Sequence, residues 1–246
     1  MKVVVFGGTG LIGRKLIALL REAGHDPVAA SPSSGVDTIA GIGLDEVLAG
    51  ADVSVDVTNS PSFADDDVLA FFRTSTANQL AAAAKAGVGH HVALSIVGTD
   101  RVPGSGYLRA KVAQEELITS GPVPFTIVRA TQFFEFAAGI AASATGPDGT
   151  AHLTPAKLQP VAADDVARVL AGAVQAPPVK GVVELGGPEK IGLDDFVRRA
   201  VGESPVVVTD PSATYFGAHI DDEVLTTGPD AHIGAISYAD WLAARS

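Results

Sequence analysis

Short apolar runs alternate with helix-period stretches over the first half of this chain, and that alternation limits its fold more than any other feature. Val3–Phe6, Pro27–Ser31, Asp52–Val57, His91–Ser95 and Phe125–Arg129 read as strands. Between them, Leu11–Ala23, Asp45–Ala49, Asp65–Ala86 and Ser105–Ser120 read as helices. The first places Leu16, Ile17, Leu19 and Leu20 on its inner side, and Gly24 and Gly87 stand where helices end. Strands separated by helices at this spacing pair in parallel through right-handed crossovers. The expected class is α/β, a doubly wound parallel sheet with helices on both faces. With 47% hydrophobic and 18% charged residues, the chain can bury the core such a sheet needs.

Beyond Thr131 the rhythm loosens into Gly-, Pro- and Ala-rich pieces such as "ASATGPDGTAHLTPAK", with short strand-like runs at Val182–Leu185 and Val206–Thr209. Asp164–Ala176 reads as a helix returning to the core. The expectation is one domain, its core about residues 1–131 plus 160–176, with a small C-terminal substrate lobe from 132–159 and 177–246.

Composition removes several function classes. A net charge of -11 disfavours nucleic acid, which needs a basic face to neutralise phosphates. The absence of cysteine excludes disulfides, thiolate metal sites and cysteine nucleophiles. The six histidines show no metal spacing, so no metal is assigned. No apolar stretch approaches the ~20 residues that span a bilayer. A soluble, cytoplasmic protein with a small-molecule substrate is expected, with no nucleic-acid or membrane partner and an oligomeric state the sequence leaves open.

Directly after the first strand comes "FGGTGLIGRK", with glycines at Gly7, Gly10 and Gly13. In the first β-α-β unit such glycines tighten the turn and let a pyrophosphate approach the backbone at a helix N-terminus. The Gly-x-x-Gly-x-x-Gly spacing, together with "HHVALSIVG", "YLRAK", "PFTIVRATQFFE" and "QPVAADDVARVL" in that order, resembles the NmrA-like, NAD(P)-binding branch of the short-chain dehydrogenase/reductases. The resemblance covers most of the chain and implies a Rossmann-type fold. It implies cofactor contacts from Gly7, Thr9, Gly10, Leu11, Ile12, Gly13 and Arg14.

At the end of the second strand, "AASPSSG" offers no acid for a ribose 2′-hydroxyl. Ser31, Ser33 and Ser34 could instead donate to a 2′-phosphate, so NADP(H) is favoured over NAD(H). Ordinary loop chemistry fits the same serines. Thr58 and Asn59, after the Asp52–Val57 strand, fall where the family lines the ribose and nicotinamide, and they also fit a plain turn before Pro61. The chain departs from the family at "IAGIGLDE", where an adenine-contacting Asp is common and Asp45 is the first acid, and at Ala130, where proline is common.

Tyr107 and Lys111, four residues apart, share one face of a helix. In the resembled superfamily a Tyr-x-x-x-Lys pair transfers the proton, and Lys111 also holds the nicotinamide ribose. A phenol near pKa ~10 becomes useful when positive charge nearby favours its anion. Ser95, ending its strand, matches the family serine that hydrogen-bonds the substrate oxygen. Gln132, Phe133 and Phe134 match the segment leading into the substrate lobe, although aromatic clusters also build cores. Asp65–Asp67 read as caps of the long helix, and Asp164 and Asp165 as caps of theirs.

These residues imply an NADP(H)-dependent oxidoreductase passing hydride to a small carbonyl or quinone. Two alternatives stand beside it. One is a non-catalytic, dinucleotide-binding redox sensor, whose members tend to lack the Tyr-Lys pair. The other is a nucleotide-sugar epimerase, whose relatives carry a longer substrate lobe.

Overall fold

The computed structural model describes residues 1–245. Its elements in chain order begin with β1 (Lys2–Phe6), α1 (Leu11–Glu22), β2 (Asp26–Ala30), α2 (Leu44–Leu48), β3 (Val53–Asp56), α3 (Asp65–Ala86), β4 (His90–Ile96), α4 (Gly106–Ser120) and β5 (Phe125–Ala130). There follow α5 (Ala137–Ala144), β6 (Thr150–Leu153), β7 (Lys157–Leu158), α6 (Ala163–Gln175), β8 (Val182–Gly186), β9 (Ile191–Gly192), α7 (Leu193–Val201), β10 (Val206–Thr209), β11 (His232–Ile233) and α8 (Tyr238–Ala243). A seven-stranded sheet runs β11-β8-β5-β4-β3-β1-β2. The order reverses at β1, as in a doubly wound fold: the first crossover runs outward to the edge strand β2, and the next returns to β3 on the other side.

Two compact units emerge. The first comprises Met1–Ser95, Gly106–Arg129 and Val166–Val183. It carries parallel pairs β1–β2, β1–β3 and β3–β4, with Val4 opposite Val28 and Ser54, and Val55 opposite Val92. Every residue of β1 from Val3 to Phe6 is buried, because a parallel strand flanked by helices meets core on both faces. In α1, Leu16, Ile17 and Leu20 are the buried side, whereas Leu19 is half-buried. Gly24, Gly43 and Gly87 have positive φ at helix ends.

Asp65, Asp66 and Asp67 do not cap α3. The cap residue is Ala64, without a side-chain hydrogen bond, and the three acids occupy the first turn, where their charge suits the helix dipole.

The second unit comprises Ile96–Ser105, Ala130–Asp165 and Glu184–Ser246. The 96–105 segment groups here, whereas the sequence reading kept it with the core. Parallel β6–β10 and antiparallel β7–β9 form two small sheets. The core centres on Phe134, Phe196 and Tyr238, with Trp241 packed against it. The buried Tyr238 hydroxyl donates to the Phe196 carbonyl at 2.9 Å. Helices α5 and α7 lie in the stretch that the sequence reading left without assigned helices; α5 is a short Ala-rich run, whereas α7 carries a helix-period apolar face of Leu193, Phe196 and Val197.

Candidate active site

The glycine turn is held by its own backbone. Gly7 N–H donates to the Ala30 carbonyl, Gly8 N–H to Val5 and Gly10 N–H to Gly7, at 3.0, 3.1 and 2.9 Å. Gly7 sits at φ 77°. A Cβ on Gly7 would lie 2.8 Å from the Val57 carbonyl oxygen, so the turn abuts the end of β3. A Cβ on Gly13 would lie 2.3 Å from the Gly7 oxygen and 2.5 Å from Gly8 Cα, which is how closely α1 packs on the turn.

Helix α1 starts at Gly10 with no side-chain cap and no acid in its first turn. First-turn amides have no partner within a helix, and neither a side-chain cap nor a first-turn acid answers this end. The terminus therefore suits a dianionic pyrophosphate, with Leu11, Ile12 and Gly13 supplying amides. Thr9 and Arg14 flank it and are exposed.

At the end of β2, Ser34 is committed to its own turn. Its hydroxyl accepts from Ser31 N–H at 2.9 Å and approaches the Ser31 and Ala29 carbonyls at 2.9 and 3.1 Å. Ser31 and Ser33 hydroxyls lie 2.9 Å apart. Asp45 forms an exposed ion pair with Lys85.

Tyr107, one residue into α4, donates its hydroxyl to Asn59 Oδ1 at 2.8 Å. The same oxygen accepts from Ser60 N–H at 2.9 Å. The Tyr107 ring packs against Phe63 and Phe72, at centroid separations of 5.5 and 6.1 Å. Burial pushes the phenol up to about 12, and the Asn59 hydrogen bond works the other way.

Lys111 is 3% exposed. Its Nζ donates to the Leu94 carbonyl at 2.8 Å and to Gln114 Oε1, and stands 4.4 Å from the centre of the Phe72 ring. Burial brings its pKa down to about 8, against the raising effect of Asp56 and Glu115. Gln114 Nε2 donates to Asp56 Oδ2 at 2.9 Å. The other carboxylate oxygen of Asp56 accepts the Thr58 N–H and hydroxyl, at 2.9 and 2.7 Å. Thr58 is thereby fixed to the end of β3.

Ser95 is buried and turned toward α4, where its hydroxyl donates to Glu115 Oε1 at 2.5 Å. Glu115 pairs with Arg129 through Nε and Nη2, at 2.9 and 2.6 Å. His91, Ala93 and Ser95 alternate onto one face of β4, where Ser95 meets Glu115 of α4 and Ala93 packs with Leu80, Ile118 and Ile127. On that face His91 Nδ1 lies 2.9 Å from Ser54 Oγ, and its Nε2 has no partner. Burial brings His91 down to about 4, opposed by Asp56 and aided by His90.

The structure thus brings Tyr107 to Asn59 and Lys111 to the end of β4, while Ser95 is drawn into the Glu115–Arg129 pair. Gln132, Phe133 and Phe134 belong to the second unit. Phe134 is 1% exposed in its core, with Tyr238 at 4.8 Å and Trp241 at 5.5 Å, which removes it from any pocket wall. Phe133 stacks on Phe136 at 5.1 Å, and Gln132 Oε1 is buried without a partner. Sequence reasoning missed Asp56, Gln114, Glu115 and Phe72. An acid inside the apolar strand "VSVD" was a legible signal for the first. Among the described residues no His, Asp and Glu group could hold a metal, and no helix is long and apolar enough to cross a membrane.

A family model described as NAD(P)H-binding matches residues 7–177. No curated protein matches the chain in sequence. Among solved structures, MoeE5 in complex with UDP-glucuronic acid and NAD is similar at 17% identity and TM-score 0.74, covering 99% of this chain and 97% of that one. The NADPH-dependent quinone oxidoreductase QOR2 of Escherichia coli, complexed with NADPH, is similar at 17% identity and TM-score 0.72, covering 99% of both. The Thermus thermophilus UDP-glucose 4-epimerase complex with NAD shares 18% identity at TM-score 0.68, covering 100% and 93%. Identities this low establish the fold alone.

Proposed function

The chain belongs to the NAD(P)H-binding family, and on that premise we propose that it is an NADP(H)-dependent oxidoreductase of the NmrA-like short-chain type, working in the cytoplasm on a small carbonyl or quinone. Membership covers the coarse part, nicotinamide-dinucleotide binding with an oxidoreductase-like function. The observation that carries the finer reading is Tyr107, with Lys111 one turn on, beside the end of β3 in the unit that holds the uncapped start of α1.

When bound, the nicotinamide supplies a hydride to the substrate carbon. The glycine turn and the first amides of α1 would hold the pyrophosphate, and Ser31 and Ser33 would offer hydroxyls to a 2′-phosphate. Tyr107 keeps its proton through neutral pH, because burial pushes it up to about 12. It gives that proton to the oxygen that gains the electron pair, and it recovers one from water. Asn59 holds the hydroxyl until then. Lys111, brought down to about 8, supplies positive charge near neutrality that favours the phenolate formed. Ser95 fastens β4 to α4 in this reading and does not touch substrate.

QOR2 is described as a quinone reductase, and its likeness supports including quinones in the substrate class. The test is NADPH oxidation against a panel of aldehydes, ketones and quinones, wild type beside Tyr107→Phe. Turnover that collapses in the variant, with NADPH affinity retained, is the expected result. Turnover that survives overturns the proton role of Tyr107, and tight binding without turnover in the wild type overturns the enzyme reading in favour of a dinucleotide sensor.

A further inference from the structure

Beneath α4 the first unit buries a polar chain that the proposed proton transfer does not use. Asp56 is 1% exposed, Gln114 1% and Lys111 3%. An ammonium only donates and an ionised carboxylate only accepts, so the Gln114 amide has one orientation that satisfies both neighbours. Its oxygen accepts from Lys111 and its nitrogen donates to Asp56. Gln114 lies three residues after Lys111 on α4, the spacing at which helix side chains meet. Replacing it would take a hydrogen bond from two buried charged groups at once.

We propose that Gln114 is the positioning residue of Lys111: by bridging Asp56 on β3 to the ammonium, it fixes where that charge stands beside the carboxyl end of β4. The inference rests on the reading that Lys111 serves Tyr107 and the cofactor. Three further fixtures agree with it. The Leu94 carbonyl holds Lys111 from β4, the Phe72 ring faces it from α3, and the Thr58 contacts lock Asp56 against rotation. The charged and titratable groups around Lys111 are Asp56 from β3 with His91 beside it on β4, Glu115 from α4 with its Arg129 partner on β5, and Tyr107 one turn earlier. Asp56 is joined to Lys111 through the neutral Gln114 side chain. An amide there transmits the carboxylate's hold without adding a second charge.

The experiment follows the Lys111 side chain itself, by NMR titration of ε-13C-labelled lysine in the intact protein, with Lys111→Met providing the assignment. Gln114→Met removes both hydrogen bonds at nearly constant length and volume. Gln114→Glu places a carboxylate against the ammonium. The Lys111 midpoint is expected to fall in Gln114→Met and to rise by about one pH unit or more in Gln114→Glu, because a charge-assisted bond favours the protonated form. The pH profile of kcat is expected to move in the same sense, with kcat in Gln114→Met down about tenfold, the worth of one such bond. A merely structural role would lower the melting temperature of both variants and leave the pH profile of kcat where it is. Unchanged midpoints, or a kcat profile that ignores a shifted midpoint, overturn the inference. Should Gln114→Met fail to fold, Gln114→Glu and the shorter Gln114→Asn decide it by the same titration. The titration needs no turnover, so failure of the Tyr107 reading is visible separately in Tyr107→Phe.

Discussion

Replacing Ser95 with alanine separates two roles for one hydroxyl. The side chain is buried, and its proton goes to a carboxylate that Arg129 already holds by two donors. A hydrogen bond to a charged group contributes about 1.5–3 kcal/mol. Glu115 keeps its guanidinium in the variant, so the loss belongs near the lower end, about 1.5–2 kcal/mol. For a chain of this size, that shifts the melting temperature down by about 3–8 °C. A serine that stabilised a developing oxyanion would instead cost about 10²–10³ in kcat. Thermal unfolding followed by circular dichroism, with NADPH oxidation on the same samples, reads both. We expect the melting temperature to drop and kcat to stay within about tenfold of wild type. An unchanged melting temperature with kcat down a hundredfold would refute the assignment of Ser95 to the Glu115–Arg129 pair.

Arg129→Met leaves Glu115 buried without its cation and should destabilise the protein by about 3–5 kcal/mol, measured by urea unfolding. Gly13→Val should cost both stability and NADPH binding, since its Cβ falls 2.3 Å from the Gly7 oxygen; a folded variant with wild-type affinity would contradict the tight turn. His91 is held neutral by burial, down to about 4 against 6.5 for the free group. The unfolded chain therefore binds the extra proton first as pH falls, and stability should be lost between pH 6.5 and about 4. His91→Asn should flatten that limb of the unfolding profile.

The fold was legible because a parallel sheet imposes its signature on local sequence. Val3–Phe6 is apolar on both faces, and the break at Gly7 is forced by the approach of Val57. Tyr107 and Lys111 were legible as a pair because helix spacing alone puts them together. The second unit was hidden for the opposite reason. The α5 run, Ala137–Ala144, carries little amphipathic contrast, and its helix depends on packing against residues far along the chain, such as Phe196. The Ser95–Glu115–Arg129 contacts were hidden too. Whether Ser95 faces a ligand or α4 depends on strand phase, and Glu115 looks in sequence like any charged residue on a helix surface. Only the placement of Arg129 on β5 shows why its acid is buried.

The most direct test of the account is a calorimetric titration of the wild-type protein with NADPH and with NADH. We predict saturable one-to-one binding of both, tighter for NADPH, with the preference reduced in Ser31→Ala/Ser33→Ala. Tighter binding of NADH would overturn the 2′-phosphate reading of those serines, and no binding of either would contradict the dinucleotide site at the start of α1.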